Sequence, residues 1–368
     1  MTGRFRLIIL LLCIFTLLLG GCSSGDNTQR QEASPEKVPA LSQQEQSPPA
    51  KTILKIHFID VGQGDSILIQ SPQGENLLID GGETDEGKKV SDYLRAQGIK
   101  ELAVIVATHP HSDHIGGLIE VINTFPVANV YMPAVTHSSQ TFEELLSAIK
   151  DQKLKISTAR AGVGIPIKGF QAEFLAPQKN QYEDLNNYSA VVRLSYGQNV
   201  FLFMGDAEKE SEAQIMQSGL NLKADLIKLG HHGSSSSSSP EFLVAAAPRY
   251  AVIMCGIGND YGHPHRETLA VLNKLKVEVS RTDQDGNIVI NSDGSHINIK
   301  SERGKKLNSE VKSVSDSGES SYYIGNKKTM KFHKPSCQSL PEKQNQVIFG
   351  KRDEAISQGY VPCKACKP

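Results

Sequence analysis

The sequence predicts a mixed α/β (α+β) protein: a two-layered β core with helices outside it, joined to a small zinc-stapled domain at the C-terminus. Three observations carry this. From Ile53 onward, short β-type runs punctuated by Gly and Pro outnumber helical segments. Residues that bind metals recur where those strands end, which places a site at one edge of the core. The final stretch of ~47 residues is too short to bury a sufficient core and carries one His and three Cys at zinc-type spacing.

The chain has 368 residues, enough for two or three structural units. Its 39 basic and 40 acidic residues give a net charge of -1, which excludes wholesale electrostatic binding to nucleic acid or anionic lipid but leaves room for a local basic patch. Of the six cysteines, Cys13 and Cys22 lie near the start and Cys337, Cys363 and Cys366 near the end. Cys255, alone in YAVIMC, reads as a small buried hydrophobe, so the middle of the chain has no disulfide framework and must rely on its core.

Arg4 and Arg6 precede the apolar run LIILLLCIFTLLLG, and Leu19-Gly-Gly-Cys22 follows. A positive start, an apolar run and small residues before a cut site make a secretory signal over residues 1–22. The Cys after Leu-Gly-Gly resembles a bacterial lipobox, which implies a lipidated Cys22 as the mature N-terminus. An uncleaved transmembrane anchor is the alternative, but Leu7 to Leu19 is short for a span of ~20 residues. Either way the rest of the chain is expected outside the cytoplasm, held at the cell membrane. Residues 23–52 are Ser, Gln, Glu and Pro with few large apolar residues, a flexible tether.

A catalytic domain is expected over 53–300. ILKIHFIDVG, DSILIQS and NLLIDGG read as strands, 87–97 as a helix, and LAVIVATH as a buried strand. A helix over 114–124, a strand at 128–132 and a helix at 141–150 follow. FQAEFLA, AVVRLSY and NVFLFMG read as strands and 207–217 as a helix leading to the apolar run ADLIKLG. A helix near 240–246, the strand RYAVIMC, a helix at 266–274 and small strands over 276–299 close the unit.

The chemistry concentrates in His109-Pro-His-Ser-Asp-His114. Side chains two apart in an extended segment point the same way, so His109 and His111 can share one metal, while Asp113 and His114, past the turn, can face a second. Imidazole and carboxylate suit Zn²⁺, with Mn²⁺ or Fe also compatible. Two such ions about 3.5–4 Å apart can hold a bridging hydroxide and clamp an in-line displacement. Phe201-Leu-Phe-Met-Gly-Asp206 is an apolar strand with a carboxylate at its tip, and Ile227-Lys-Leu-Gly-His231-His232 is a strand ending in two histidines.

Together HFIDVGQGDSILI, LLIDGG, THPHSDHIGG, NNYSAVVRL, FLFMGD, LIKLGHHGS, YGHPH and RTDQDGNI resemble, in order, a metallo-β-lactamase-fold hydrolase, and specifically the extracellular domain of ComEC-type DNA-uptake proteins. The resemblance implies a four-layered αββα sandwich. It implies that His109 and His111 serve one metal, that Asp113, His114 and His231 serve the other, and that Asp206 bridges them, with one or two ions of Zn or Mn. Asp113 would also orient the attacking water, and His263 would contact substrate or protonate the leaving group. Asp80, Asp65, Asn187, Ser189 and His232 are expected around the ligands or substrate, with Gln63 and Asp65 at the mouth. Many superfamily members have a further His before the Gly-Asp strand. Here the stretch reads Asn186-Asn-Tyr-Ser189, which leaves the first metal short of one nitrogen.

Residues 301–321 read as a second linker and 322–368 as the terminal module, where His333, Cys337, Cys363 and Cys366 are expected to hold a structural zinc. The segment resembles the small zinc-binding domain of Ada-type DNA-repair proteins, with His333 where that family has Cys. Its nine basic side chains against three acidic ones suit phosphate binding. The leading expectation is an exported, membrane-anchored phosphodiesterase or nuclease acting on DNA through a metal-activated hydroxide. A hydrolase of a non-nucleic ester, such as a cell-wall phosphoester or lactone, and a non-catalytic binding lipoprotein are the alternatives.

Overall fold

The computed structural model describes residues 52–304, 306–309, 322–335, 337–349 and 352–368. The expected signal segment with Cys22, and the tether up to residue 51, lie outside them. Among the described residues no helix is long and apolar enough to cross a membrane.

The first half begins with β1 (Leu54–Phe58), β2 (Ile67–Gln70) and β3 (Asn76–Ile79), then α1 (Gly87–Ala96) and β4 (Leu102–Val106). α2 (Ser112–Ile115), α3 (Leu118–Thr124), β5 (Val127–Met132), α4 (Gln140–Asp151) and β6 (Ile156–Thr158) complete it. The second half runs β7 (Gln171–Phe174), β8 (Val192–Tyr196), β9 (Asn199–Phe203), α5 (Lys209–Gln217) and β10 (Leu226–Lys228). It continues through α6 (Pro240–Ala246), β11 (Tyr250–Ile253), α7 (Arg266–Lys274), β12 (Glu278–Arg281) and α8 (Thr282–Asp285). β13 (Ile288–Ser292), β14 (Ile297–Ser301) and β15 (Lys306–Ser309) return to the first sheet.

One sheet has the order β15-β14-β13-β1-β2-β3-β4-β5-β6 and the other β12-β11-β10-β9-β8-β7. The two-residue period of a strand explains the layering. Leu77 and Ile79 of β3, and Phe201 and Phe203 of β9, point into one core between the sheets. The alternate residues point outward: Leu78 meets Val90 and Leu118 of the helices on one side, and Leu202 lies in the cluster of Ile215, Phe242 and Leu272 on the other. The result is the αββα sandwich. β4 is buried on both faces, which is why LAVIV is a continuous apolar run.

Two expectations need correction. The helix expected over 114–124 is two helices, broken at Gly116-Gly117. Gly117 packs against the backbone of the β3 end so closely that a Cβ would lie 2.0 Å from the Gly81 carbonyl oxygen, so only glycine fits at the break. The sheet also runs past the boundary expected at residue 300, because β15 pairs antiparallel with β14, Ile299 opposite Leu307.

The terminal module has β16 (Tyr323–Asn326), β17 (Lys331–His333), β18 (Gln346–Phe349), α9 (Arg352–Ser357) and β19 (Val361–Pro362), with the strand order β18-β16-β17-β19. Tyr323, Phe332, Phe349, Ala355 and Tyr360 form its small core.

Candidate metal centre

β3 and β4 are parallel, as are β9, β10 and β11, so the loops leaving their C-terminal ends meet at one edge of the sandwich. Asp80, just past β3, organises the first of these loops from a left-handed backbone position (φ 57). One carboxylate oxygen accepts the Thr108 N–H at 2.8 Å. The other accepts the Thr108 hydroxyl at 2.7 Å and faces His114 Nδ1 at 2.8 Å.

With Nδ1 held by Asp80, His114 presents Nε2 to Asp206 Oδ2 at 3.2 Å and to Asp113 Oδ2 at 3.8 Å. His232 is held the same way: its Nδ1 lies 2.9 Å from the Met254 carbonyl, and its Nε2 lies 3.2 Å from both Asp113 Oδ2 and Asp206 Oδ2. One donor atom from each of Asp113, His114, Asp206 and His232 therefore falls within 4.8 Å of the others. His109 and His111 stand beside this set with Nε2 and Nδ1 3.0 Å apart, and His109 Nε2 is 3.9 Å from Asp206 Oδ2.

The donor set fits a divalent cation. Imidazoles anchored through one nitrogen and converging through the other are the arrangement a metal requires. His114 Nε2 and Asp206 Oδ1 are buried without a hydrogen-bond partner among the described residues, a costly state that a cation would relieve. The electrostatics agree. Burial opposes the His114 cation, but Asp206, Asp113 and Asp80 outweigh it and hold His114 well above the ordinary imidazole range. Asp206 and Asp113 do the same for His232. Burial would raise Asp206, yet His114 and His232 hold it well below the carboxylate range. His109 and His111 are pushed down by burial, which keeps their imidazoles neutral and ready to ligate.

The structure separates the two adjacent histidines differently from the sequence expectation. His231, expected as the ligand, has Nδ1 on Glu208 at 3.0 Å and Nε2 4.0 Å from Asp206, outside the four-donor set. His232, expected as its neighbour, is in that set. Both sit in left-handed backbone (φ 46 and 52), a turn that sends the two rings to different places.

The other expected residues are also placed. The Ser189 hydroxyl accepts the Asp206 N–H at 2.9 Å and lies 3.5 Å from His109 Nδ1, so it braces two candidate ligands. It stands 3.0 Å from where a Cβ on Gly205 (φ +51) would be, which is why glycine precedes Asp206. Asn187 ties down the start of α5: its Oδ1 accepts from Glu208 N and Ser211 N. Asp65, expected at the mouth, is buried beneath the centre. Gln63 Oε1 accepts the Gly256 N–H at 3.3 Å, tying the β1–β2 loop to the loop after β11. His263 lies on the rim, its ring centroid 5.3 Å from His231 and 6.0 Å from His232. Burial, together with His232 and His231, pushes His263 down to about 4.

Two residues escaped the sequence reading. Lys228 is fully buried, pairs with Asp65 and donates to the Gly205 carbonyl at 2.9 Å. Its signal was its parity with Leu226, which puts a lysine on the inward face of a central strand. Glu208, two residues after Asp206, orients His231 and carried no such signal.

In the terminal module, His333, Cys337, Cys363 and Cys366 also bring one donor atom each within 4.8 Å, with all three thiols free. The N–H groups of Cys366 and Ala365 hold Cys363 below its ordinary value, as suits a thiolate ligand.

Comparison with known proteins matches residues 59–257 to the metallo-β-lactamase superfamily and residues 309–368 to the metal binding domain of Ada. ComE operon protein 3 of Bacillus subtilis is 34% identical over 251 residues, covering 64% of this chain and 32% of that protein. Recombination protein 2 of Haemophilus influenzae is 27% identical over 261 residues, covering 70% and 31%. Competence protein ComA of Neisseria gonorrhoeae is 32% identical over 232 residues, covering 62% and 30%. The chain thus spans about a third of the length of each of these relatives.

Proposed function

Because the chain belongs to the metallo-β-lactamase superfamily, whose members are mostly metal-dependent hydrolases, we propose that it is an exported, membrane-tethered phosphodiesterase acting on DNA. The observation that carries the reading is the convergence of Asp113, His114, Asp206 and His232 on one point at the shared edge of two sheets. Relatives named for competence and for recombination support DNA as the polymer, and the basic terminal module supports a phosphate-rich one. The lipobox-like Leu19-Gly-Gly-Cys22 supports a lipid anchor at Cys22.

Asp113, His114, His232 and Asp206 would hold one divalent cation. His109 and His111 would hold a second, with Asp206 shared between them. Zinc and manganese both suit this donor set. When bound, such ions make water nucleophilic near neutral pH and offset the charge that builds on the phosphate oxygens. The protein's own part is positional. Asp80 and the Met254 carbonyl fix the two imidazoles, and Ser189 fixes the Asp206 backbone. Lys228, 3.7 Å from Asp206 Oδ1, balances carboxylate charge from below. His263 supplies a neutral imidazole at the rim, so contact with substrate is the role its environment favours over proton donation.

The test is hydrolysis of single- and double-stranded DNA and of bis-p-nitrophenyl phosphate by the metal-stripped chain reloaded with Zn²⁺ or Mn²⁺, beside Asp113→Ala. Metal-dependent DNA cleavage absent from the variant is the expected result. Cleavage of the small diester alone would replace DNA with another phosphoester, and no turnover with either metal would point to a binding protein.

A further inference from the structure

The two most exposed large apolar side chains among the described residues, Ile257 (76%) and Tyr261 (66%), lie on one short loop at the rim of the metal centre. Core packing explains neither, and an exposed apolar pair beside a site calls for a ligand. The loop is built to hold them out. Asn259 Nδ2 donates to the Gly256 carbonyl at 2.9 Å and the His263 carbonyl at 2.7 Å, while its Oδ1 accepts the His263 N–H at 2.9 Å. His265 Nε2 lies 3.1 Å from the Tyr261 carbonyl.

Three rings then lead outward from the centre. His232, in the metal donor set, lies 6.0 Å from His263, the planes tilted by 32°. His263 stacks on Tyr261 with centroids 5.6 Å apart and planes 18° apart. His263 is itself buried, with Nδ1 lacking a hydrogen-bond partner among the described residues. His263 lies offset beside the Tyr261 ring, nearly parallel to it, and the Tyr261 residue remains 66% exposed.

We propose that Tyr261 is a stacking platform for a nucleobase flanking the scissile phosphate, which makes single-stranded nucleic acid the preferred substrate. The inference rests on the reading of the centre as a DNA phosphodiesterase and adds its strand preference. An aromatic face that continues a ring stack accepts any base, because every base has a π-face. In a duplex those faces are taken by neighbouring bases, so a platform of this kind selects unpaired strands. Ile257, exposed on the same loop, adds a second apolar side chain near the site.

The chain contains no Trp, so Tyr261→Trp places the sole indole at this position. In the metal-stripped full-length variant, which needs no turnover, saturable quenching by a single-stranded oligonucleotide is expected. An abasic oligomer of equal length and charge, and a duplex, should each bind at least tenfold more weakly. In the metal-loaded enzyme, Tyr261→Ala should raise KM at least tenfold more on the normal strand than on the abasic one, and Tyr261→Phe should behave as the parent. Equal quenching by normal and abasic strands, or equal KM changes on both, would overturn the platform while DNA cleavage by the parent left the phosphodiesterase reading standing. Base-dependent quenching without DNA cleavage by the parent would keep the platform and remove the phosphodiesterase.

Discussion

Lys228 and Asp65 meet as an ion pair in which neither side chain reaches solvent, directly beneath the candidate metal centre. Lys228 faces Asp206 from the same position. Burial pushes Asp65 up, but Lys228 together with His232 and His114 outweighs it and holds Asp65 below its ordinary carboxylate value. Removing one member of a buried pair leaves the other uncompensated. Lys228→Met should therefore cost about 3–5 kcal/mol of folding stability. The double variant Lys228→Met with Asp65→Leu should recover much of that loss. Denaturant titrations of the four proteins in the cycle check this, and additive losses would show that the pair is not coupled.

His232→Ala should remove one anchored donor from the four-donor set and lower affinity for a divalent cation at least ~100-fold. His231→Ala should change metal content little, because that ring rests on Glu208. Metal analysis after dialysis against a graded chelator distinguishes the two variants. The reverse pattern would restore His231 as the ligand.

Asp80→Asn is expected to weaken metal binding by ~10–100-fold without touching a donor. Asp80 fixes Thr108 and faces Nδ1 of His114, and an amide cannot accept at both oxygens. Unchanged affinity in the same dialysis assay would count against this orienting role.

His57, on β1, sits between Tyr93 and Gln70, each 2.9 Å from one ring nitrogen. Burial pushes it from 6.5 to about 4. The unfolded chain then takes up the proton first, so the contribution is fully present above 6.5 and is lost as pH falls from 6.5 towards 4. At about 1.4 kcal/mol per tenfold, the loss is roughly 3 kcal/mol. His57→Gln should flatten the stability profile in that window, measured by urea unfolding at several pH values. An unchanged slope would assign the acid sensitivity to other groups.

Cys363→Ser should reduce bound zinc by one equivalent per chain and unfold the terminal module, whose core is five side chains. Loss of amide dispersion confined to residues 322–368, with the metal centre's own content intact, is the expected signature. A module that stays folded without zinc would make the ion incidental.

Much of this was legible in the sequence because strand periodicity and ligand spacing are local. NLLID, LAVIVATH and FLFMGD announced both the layers and the edge where the carboxylates and imidazoles gather. What was not legible depended on backbone turns and on parity across sheets. His231 and His232 are adjacent, and only the left-handed turn they share decides which ring faces Asp206. The break at Gly116-Gly117 answers to a backbone more than thirty residues upstream. Lys228 looked like an ordinary charge in a strand until its inward face was known, and β15 lay in a stretch whose composition read as linker.

The donor set is divided between the two sheets. His109, His111, Asp113 and His114 follow β4 of one, while Asp206 and His232 follow β9 and β10 of the other. A cation at this edge is therefore a rivet through the sandwich. Its full donor set exists only once both layers have closed, and once seated it opposes their separation by an amount that grows with the logarithm of free metal. The resistance of this fold to unfolding should follow the metal supply around it as closely as its turnover does.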